Sequence, residues 1–320
     1  MHQATEPVSF PTLQHETDLT WRIWLQMTRP GFLAITAVAC LLGIAVAAAC
    51  GDGSHVWTAL ATVVLALLMH AAANVLNDYH DALNGADDAN TQGLFPFTGG
   101  ARLIQNGLVT RGDTRQLAYA LVWVLVPAGL LLALKTGGGL LLLGVLGLFS
   151  AWAYSAPPLA LMKRGLGELT VGLTWMLVVV GADYVQRGHF FFMPWVVALS
   201  FGFLISNILL INGFPDAQAD AQVGKRTWVV RVGPRWAAYL YLLQAVLGYA
   251  WLVWGVCAFI HPAPALWGLV SMPLSLAAVV LMFKYGQTPA RLRSAIVLTI
   301  AAAVLHGLAM AVGLFSLSLG

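Results

Sequence analysis

The sequence predicts an all-α membrane protein, about nine transmembrane helices around a central cavity open to the cytoplasmic side. Three observations carry that expectation. Of the 320 residues, 59% are hydrophobic and only 9% are charged, against about 25% charged in ordinary soluble domains. Apolar windows of roughly 20 residues, long enough to cross a bilayer as helices, recur along the chain. And 14 of the 16 lysines and arginines fall in alternate connections between those windows, leaving only Lys135 and Arg187 for the other face.

Taken in order, residues 1–20 are polar and contain Pro7 and Pro11, so a loose tail is expected there, ahead of a single transmembrane domain over 21–320. They hold no apolar core flanked by a cleavage site, and no cleaved signal peptide is implied. Spans are expected near 31–50, 57–76, 117–134, 139–156, 168–184, 194–213, 237–259, 265–283 and 294–318. Arg22 and Arg29 precede the first. Arg102, Arg111 and Arg115 follow the second, Lys163 and Arg164 the fourth, Lys225, Arg226, Arg231 and Arg235 the sixth, and Lys284, Arg291 and Arg293 the eighth. By the positive-inside rule the N-terminus is cytoplasmic, and an odd number of spans puts Gly320 outside. The expected location is a bacterial inner membrane. Cys40, Cys50 and Cys257 lie in or beside apolar spans without metal-ligand spacing, which predicts packing roles and neither zinc nor a disulfide. The net charge of +3 belongs to cytoplasmic loops. No basic run interleaves with aromatics, so nucleic acid is excluded as a partner, and nothing in the sequence names a protein partner.

Six of the thirteen acidic residues sit in two short regions, Asp78, Asp81, Asp87 and Asp88 in one, Asp216 and Asp220 in the other. Charge at the end of an apolar span is costly and marks chemistry. Each region has an Asn four residues ahead of an Asp, Asn74 with Asp78 and Asn212 with Asp216, and a further carboxylate, Asp81 or Asp220, at helical spacing. On a helix those side chains share one face. Clustered carboxylates without a local cation raise their own pKa values, whereas hard divalent cations want such oxygen ligands. For either motif alone, a cap or a solvated helix end is as good an account. The repetition favours two facing magnesium sites, because repeated halves of membrane proteins build central sites between them.

The loops that follow hold the complementary charge. Arg102 lies near the first acidic cluster, Lys163 and Arg164 in the next basic loop, and Lys225 and Arg226 after the second cluster. Carboxylates, magnesium and basic side chains on one membrane face suit a diphosphate, and apolar helices beneath suit a hydrocarbon tail. Cation-coupled carriers also combine repeated halves with intramembrane carboxylates, but they favour the midplane. Here the acids are expected at the cytoplasmic ends.

The segments MTRPGF, NDYHDALNGAD, GGARLIQNGLV, YSAPPLALMKRGLGE and DAQADAQVGKRT occur in an order that resembles the UbiA superfamily of intramembrane prenyltransferases over nearly the whole chain. NDYHDALNGAD followed by GGARLIQNGL looks most like the menaquinone branch, which prenylates 1,4-dihydroxy-2-naphthoate. That branch often reads Asn-Asn-x-Arg-Asp before the second motif, whereas this chain has Asn212, Gly213, Phe214, Pro215 and Asp216. The resemblance implies that Asn74, Asp78, Asp81, Asn212, Asp216 and Asp220 hold Mg2+ on a prenyl diphosphate, with Asn77 and Asp87 in support. It also makes Arg102, Lys163, Lys225 and Arg226 phosphate contacts. Tyr154 could face an allylic cation or anchor a membrane interface. Other acceptors within the superfamily are 4-hydroxybenzoate, homogentisate and haem. Glu168 reads better as a helix N-terminal acid than as a base, His70 as a hydrogen-bonded span residue, and His306 as isolated in the last span.

Overall fold

A computed structural model describes residues 20–52 and 55–318; the expected tail, Thr20 apart, lies outside the described residues. Eleven α-helices follow one another: α1 Trp21–Met27, α2 Pro30–Ala49, α3 Val56–Asn84, α4 Ala86–Ala89, α5 Arg111–Thr136, α6 Gly139–Ser155, α7 Gly167–Arg187, α8 Met193–Gln222, α9 Trp228–Cys257, α10 Met272–Tyr285 and α11 Arg293–Phe315. A 3-10 stretch, Ala263–Ser271, runs directly into α10. No strand occurs among the described residues.

Among the described residues, eight helical segments are long and apolar enough to cross a membrane. The remaining expected span, α6, has 17 residues and is roughly 25 Å long at 1.5 Å per residue. That is a little short of the roughly 30 Å hydrocarbon layer. Ala156, Pro157 and Pro158 stop it, because residues before a proline avoid the helical region. The nine expected spans are therefore eight full-length ones and one short helix.

The two longest unbroken helices overshoot instead; α9 also has 30 residues but breaks at Gly233. The 29 residues of α3 and the 30 of α8 measure roughly 45 Å each, about three turns beyond the hydrocarbon layer. Both acidic motifs lie in the C-terminal turns of these helices. Gly85, in a left-handed conformation at φ 79°, ends α3 by donating its N–H to the Asp81 carbonyl. Pro215 sits inside α8 and withholds an N–H from the carbonyl one turn earlier, so the helix is loosened just where the second motif begins.

The most deeply buried spans are α2 and α8. Leu42, Phe201, Leu204, Leu252 and Met310 centre one core, and Phe214, Tyr241, Met282 and Ile296 a second. With little hydrophobic drive between helices in lipid, close backbone approach and internal hydrogen bonds hold them. At Gly43 on α2, an added Cβ would collide with the Val179 carbonyl oxygen and lie 2.8 Å from Ala182 Cβ on α7. His306, far from isolated, is a buried hub. Its Nε2 is 2.9 Å from Ser200 Oγ and its Nδ1 3.0 Å from the Gly268 carbonyl. The ring stands edge-on to Tyr249, whose hydroxyl meets Ser271 and Ser275 at 2.9 Å. Four segments are joined through it. Of the cysteines only Cys40 is buried; Cys50 and Cys257 are exposed, so their expected packing roles do not hold, each lying at or just past a helix end.

Gly43→Ala should cost about 1–3 kcal/mol through overpacking, seen as a lower melting temperature in detergent. Gly129→Ala on α5, where a Cβ meets nothing within 4 Å, should leave the melting temperature equal or higher, since alanine is the better helix former.

Candidate active site

The overshooting ends of α3 and α8 face each other. Lys225, in the short turn after α8, places its Nζ 2.7 Å from Asp81 Oδ1 on α3 and 3.7 Å from Asp220 Oδ1 on α8. One ammonium thus touches both motifs. Local structure brings it there: the Lys225 N–H donates to the Asp220 carbonyl at 2.8 Å, and Gly224 adopts φ 71°, turning the chain back over its own helix end.

The other acids are held by different partners. Asp78 pairs with the Arg29 guanidinium and accepts from the Ala101 N–H at 3.3 Å. Arg29 also donates to Asn77 Oδ1 at 3.3 Å. Asn77 gives its own amide hydrogens to Asp81 at 3.1 Å and Ser155 at 2.9 Å, linking α3 to the end of α6. Asp216 accepts from Asn90 Nδ2 at 2.7 Å. Asn74 donates to the Thr28 carbonyl at 3.0 Å. A Cβ at Gly100, which has φ 75°, would lie 2.9 Å from Asp78 Oδ1 and 2.9 Å from Asp87 Oδ2. Those two carboxylates converge on a point that only glycine leaves open.

Asp78, Asp81, Asp87 and Asp220 are buried, and Asp216 is half-buried. Five carboxylates therefore meet two cations, Arg29 and Lys225. Burial, reinforced by the charge of Asp81, pushes the Asp87 carboxyl up to about 7. Burial would lower the Lys225 ammonium, but Asp81 and Asp220 outweigh it and hold the group above its ordinary value.

Beneath this cluster lies a cavity of about 410 Å³ among α2, α3 and α5–α8. Arg29, Asn74, Asn77, Tyr154 and Asn212 line its polar end, and side chains such as Met69, Leu125, Leu148 and Val178 line the rest. His70 meets Thr36 Oγ1 at 2.8 Å and stands edge-on to Trp175, a hydrogen-bonded span residue as expected. Glu168 lies buried in the first turn of α7.

Three of the residues expected at phosphate lie outside the acidic cluster in this structure. Arg102 donates to the carbonyls of Asp87 and Asn90 at 2.5 and 2.8 Å and stacks over Phe95, so it braces the loop that caps the acids. Lys163 and Arg226 are exposed and make no ion pair among the described residues. Their backbones are joined instead, the Arg226 N–H to the Lys163 carbonyl at 2.9 Å. Only Lys225 of that set enters the cluster. Conversely, Arg29, Asn90 and Gly100 were not singled out as site residues. Arg29 counted only as a topological charge and as part of MTRPGF; its Arg-Pro pair at a helix start was the available signal. No pattern marked Asn90.

The donor set fits a divalent cation. It is rich in hard carboxylate oxygens and poor in positive charge, and Asn212 Oδ1 is buried without a hydrogen-bond partner. Among the described residues no three acidic, His or Cys side chains gather about one point; Arg29 and Lys225 occupy places between the carboxylates.

A family model described as the UbiA prenyltransferase family matches residues 36–301. The 1,4-dihydroxy-2-naphthoate octaprenyltransferase of Mycobacterium leprae is 31% identical over 260 residues, 80% of this chain and 84% of that one. The Bacillus subtilis protein of the same name is 26% identical over 280 residues, covering 83% and 88%. Among solved structures, a UbiA homolog from Archaeoglobus fulgidus bound to DMAPP and Mg2+ superposes with a TM-score of 0.59 at 14% identity, over 92% of this chain and 99% of that one.

Arg102→Ala should open the capping loop, with cleavage within 90–102 by a soluble protease rising severalfold. Arg102→Lys should restore little, because one ammonium cannot reproduce the forked contact to two carbonyls.

Proposed function

The chain belongs to the UbiA prenyltransferase family, and from that premise we propose that it transfers a polyprenyl group from an allylic diphosphate to 1,4-dihydroxy-2-naphthoate, with magnesium, in quinone biosynthesis. One observation carries the reading: two acidic helix ends, bridged by Lys225, close the polar end of an apolar cavity. The relatives named as naphthoate octaprenyltransferases support the choice of acceptor.

Asn74, Asp78, Asp81, Asn212, Asp216 and Asp220 would hold the metal, with Asn77 and Asp87 in support. When bound, magnesium supplies positive charge for a leaving diphosphate. Lys225 adds an ammonium for phosphate oxygens, and Arg29, at the cavity mouth, is a second nearby cation. The allylic carbon–oxygen bond breaks with its electron pair remaining on the diphosphate. The ring carbon that carries the carboxylate bonds to the allylic carbon, and the carboxylate leaves as carbon dioxide, restoring the aromatic ring. No base is consumed in that sequence. The apolar walls keep water from the allylic cation, and Tyr154, on the wall beside Ser155, offers its ring face to it. Residues 21–320 form one transmembrane prenyltransferase domain, in a bacterial inner membrane, with the site and N-terminus cytoplasmic and Gly320 outside.

Asp78→Ala, Asp81→Ala, Asp216→Ala and Asp220→Ala should each cut turnover by about a hundredfold or more, the scale of losing one preorganised electrostatic contact, with the protein still folded in detergent. Near-normal activity for a substitution in each motif would defeat the two-motif reading. Carboxyl-labelled naphthoate given with a long-chain prenyl diphosphate and magnesium should release labelled carbon dioxide and a prenylated product. Prenylation of 4-hydroxybenzoate or homogentisate without that release would move the acceptor assignment. Cysteines introduced near Arg102 and Arg291 should resist an impermeant reagent applied from outside; strong labelling would reverse the orientation.

A further inference from the structure

Lys225 and a divalent cation want the same oxygens. The ammonium lies 2.7 Å from Asp81 Oδ1 and 3.7 Å from Asp220 Oδ1, with its side chain 5% exposed. A second positive centre cannot share those carboxylate oxygens at such distances without strong repulsion in a buried setting. The lysine is also able to leave. It has a flexible four-carbon stem, follows Gly224, and precedes a helix, α9, that breaks at Gly233 with φ 77° and ψ 165°. Among the other carboxylates of the cluster, Asp78 is already paired with Arg29 and Asp216 is bonded to Asn90, which leaves only the single charge of Asp87 as an alternative. A diphosphate would supply another.

We infer that Lys225 competes with the metal for Asp81 and Asp220, so that the divalent cation binds weakly alone and the metal and diphosphate load as a pair. Magnesium itself suits such an arrangement, being held by one or two carboxylates together with substrate phosphates more readily than by an all-protein cage. The inference rests on the metal–diphosphate reading above and adds a rule of assembly to it. Free magnesium does not occupy the acids in advance, and a diphosphate arriving alone meets surplus carboxylate charge.

Competition has a sign that a structural or ligating role for Lys225 does not share. Thermal unfolding in detergent is followed against magnesium concentration, with and without an unreactive prenyl thiolodiphosphate. For the unaltered protein the analogue should lower the magnesium midpoint at least tenfold. For Lys225→Met, magnesium alone should act at a concentration at least tenfold below that of the unaltered protein, and the analogue should add little. An equal or higher midpoint for Lys225→Met, with the magnesium response intact, overturns the competition while leaving the prenyltransferase reading in place. If the unaltered protein responds to magnesium neither alone nor with the analogue, the metal–diphosphate reading itself falls. Should Lys225→Met fail to fold, Lys225→Arg carries the test. Its forked guanidinium grips carboxylates more firmly, so its magnesium midpoint must rise, and an unchanged midpoint overturns the proposal.

Discussion

Like charge held out of water is the constraint on which the rest of this structure depends. Five carboxylates converge at one end of an apolar cavity, and two protein cations only partly offset them. Left in lipid-like surroundings the acids would neutralise themselves. The fold answers by placing the acids in the last turns of two helices each longer than a bilayer needs, laying the 85–110 segment against them, and inserting Lys225 between the two helix ends. Each device places a hydrogen-bond donor or a cation against a buried carboxylate. Removing one member of such an arrangement leaves its partner buried and unpaired, which is worse than never having made the pair.

Away from the acids, the helices are held by means suited to a bilayer. The α2–α7 crossing needs Gly43 because a backbone carbonyl occupies the place of its side chain. His306 ties α8, α9, the Ala263–Ser271 stretch and α11 through hydroxyl and carbonyl partners. These contacts are satisfied within the protein, as a membrane interior requires. They fix the frame against which the acidic ends are aligned.

How much of this was legible in the sequence follows from range. Hydropathy is a local property, so the spans, their order and their alternation could be read directly, and helical spacing placed Asn74, Asp78 and Asp81 on one face. That the two motifs meet was inferable only from their repetition. The partners that complete the site come from distant segments: Arg29 reaches Asp78 across 49 residues and Asn90 reaches Asp216 across 126. No local pattern encodes such contacts. The same limit applies to the basic loops. Charge in a nearby loop showed that Arg102, Lys163 and Arg226 could approach the acids, but backbone carbonyls engaged Arg102, and the loop–loop hydrogen bond left Lys163 and Arg226 facing solvent.

The cavity is walled on one side by helices with much of their surface turned away from the protein interior. α3 and α5 are among the least buried spans, α6 is the short one, and Gly129 and Gly144 stand beside empty space, while the tight crossings and the buried hub belong to α2, α7, α8, α9 and α11. Volume beside Gly129 and Gly144, on α5 and α6, can therefore change through mutation at positions remote from the buried hub and the acids. Such a division of labour lets selection reshape what the chamber accommodates while the machinery at its mouth stays constant, and one scaffold can diversify across lipids of different length without first acquiring spare stability.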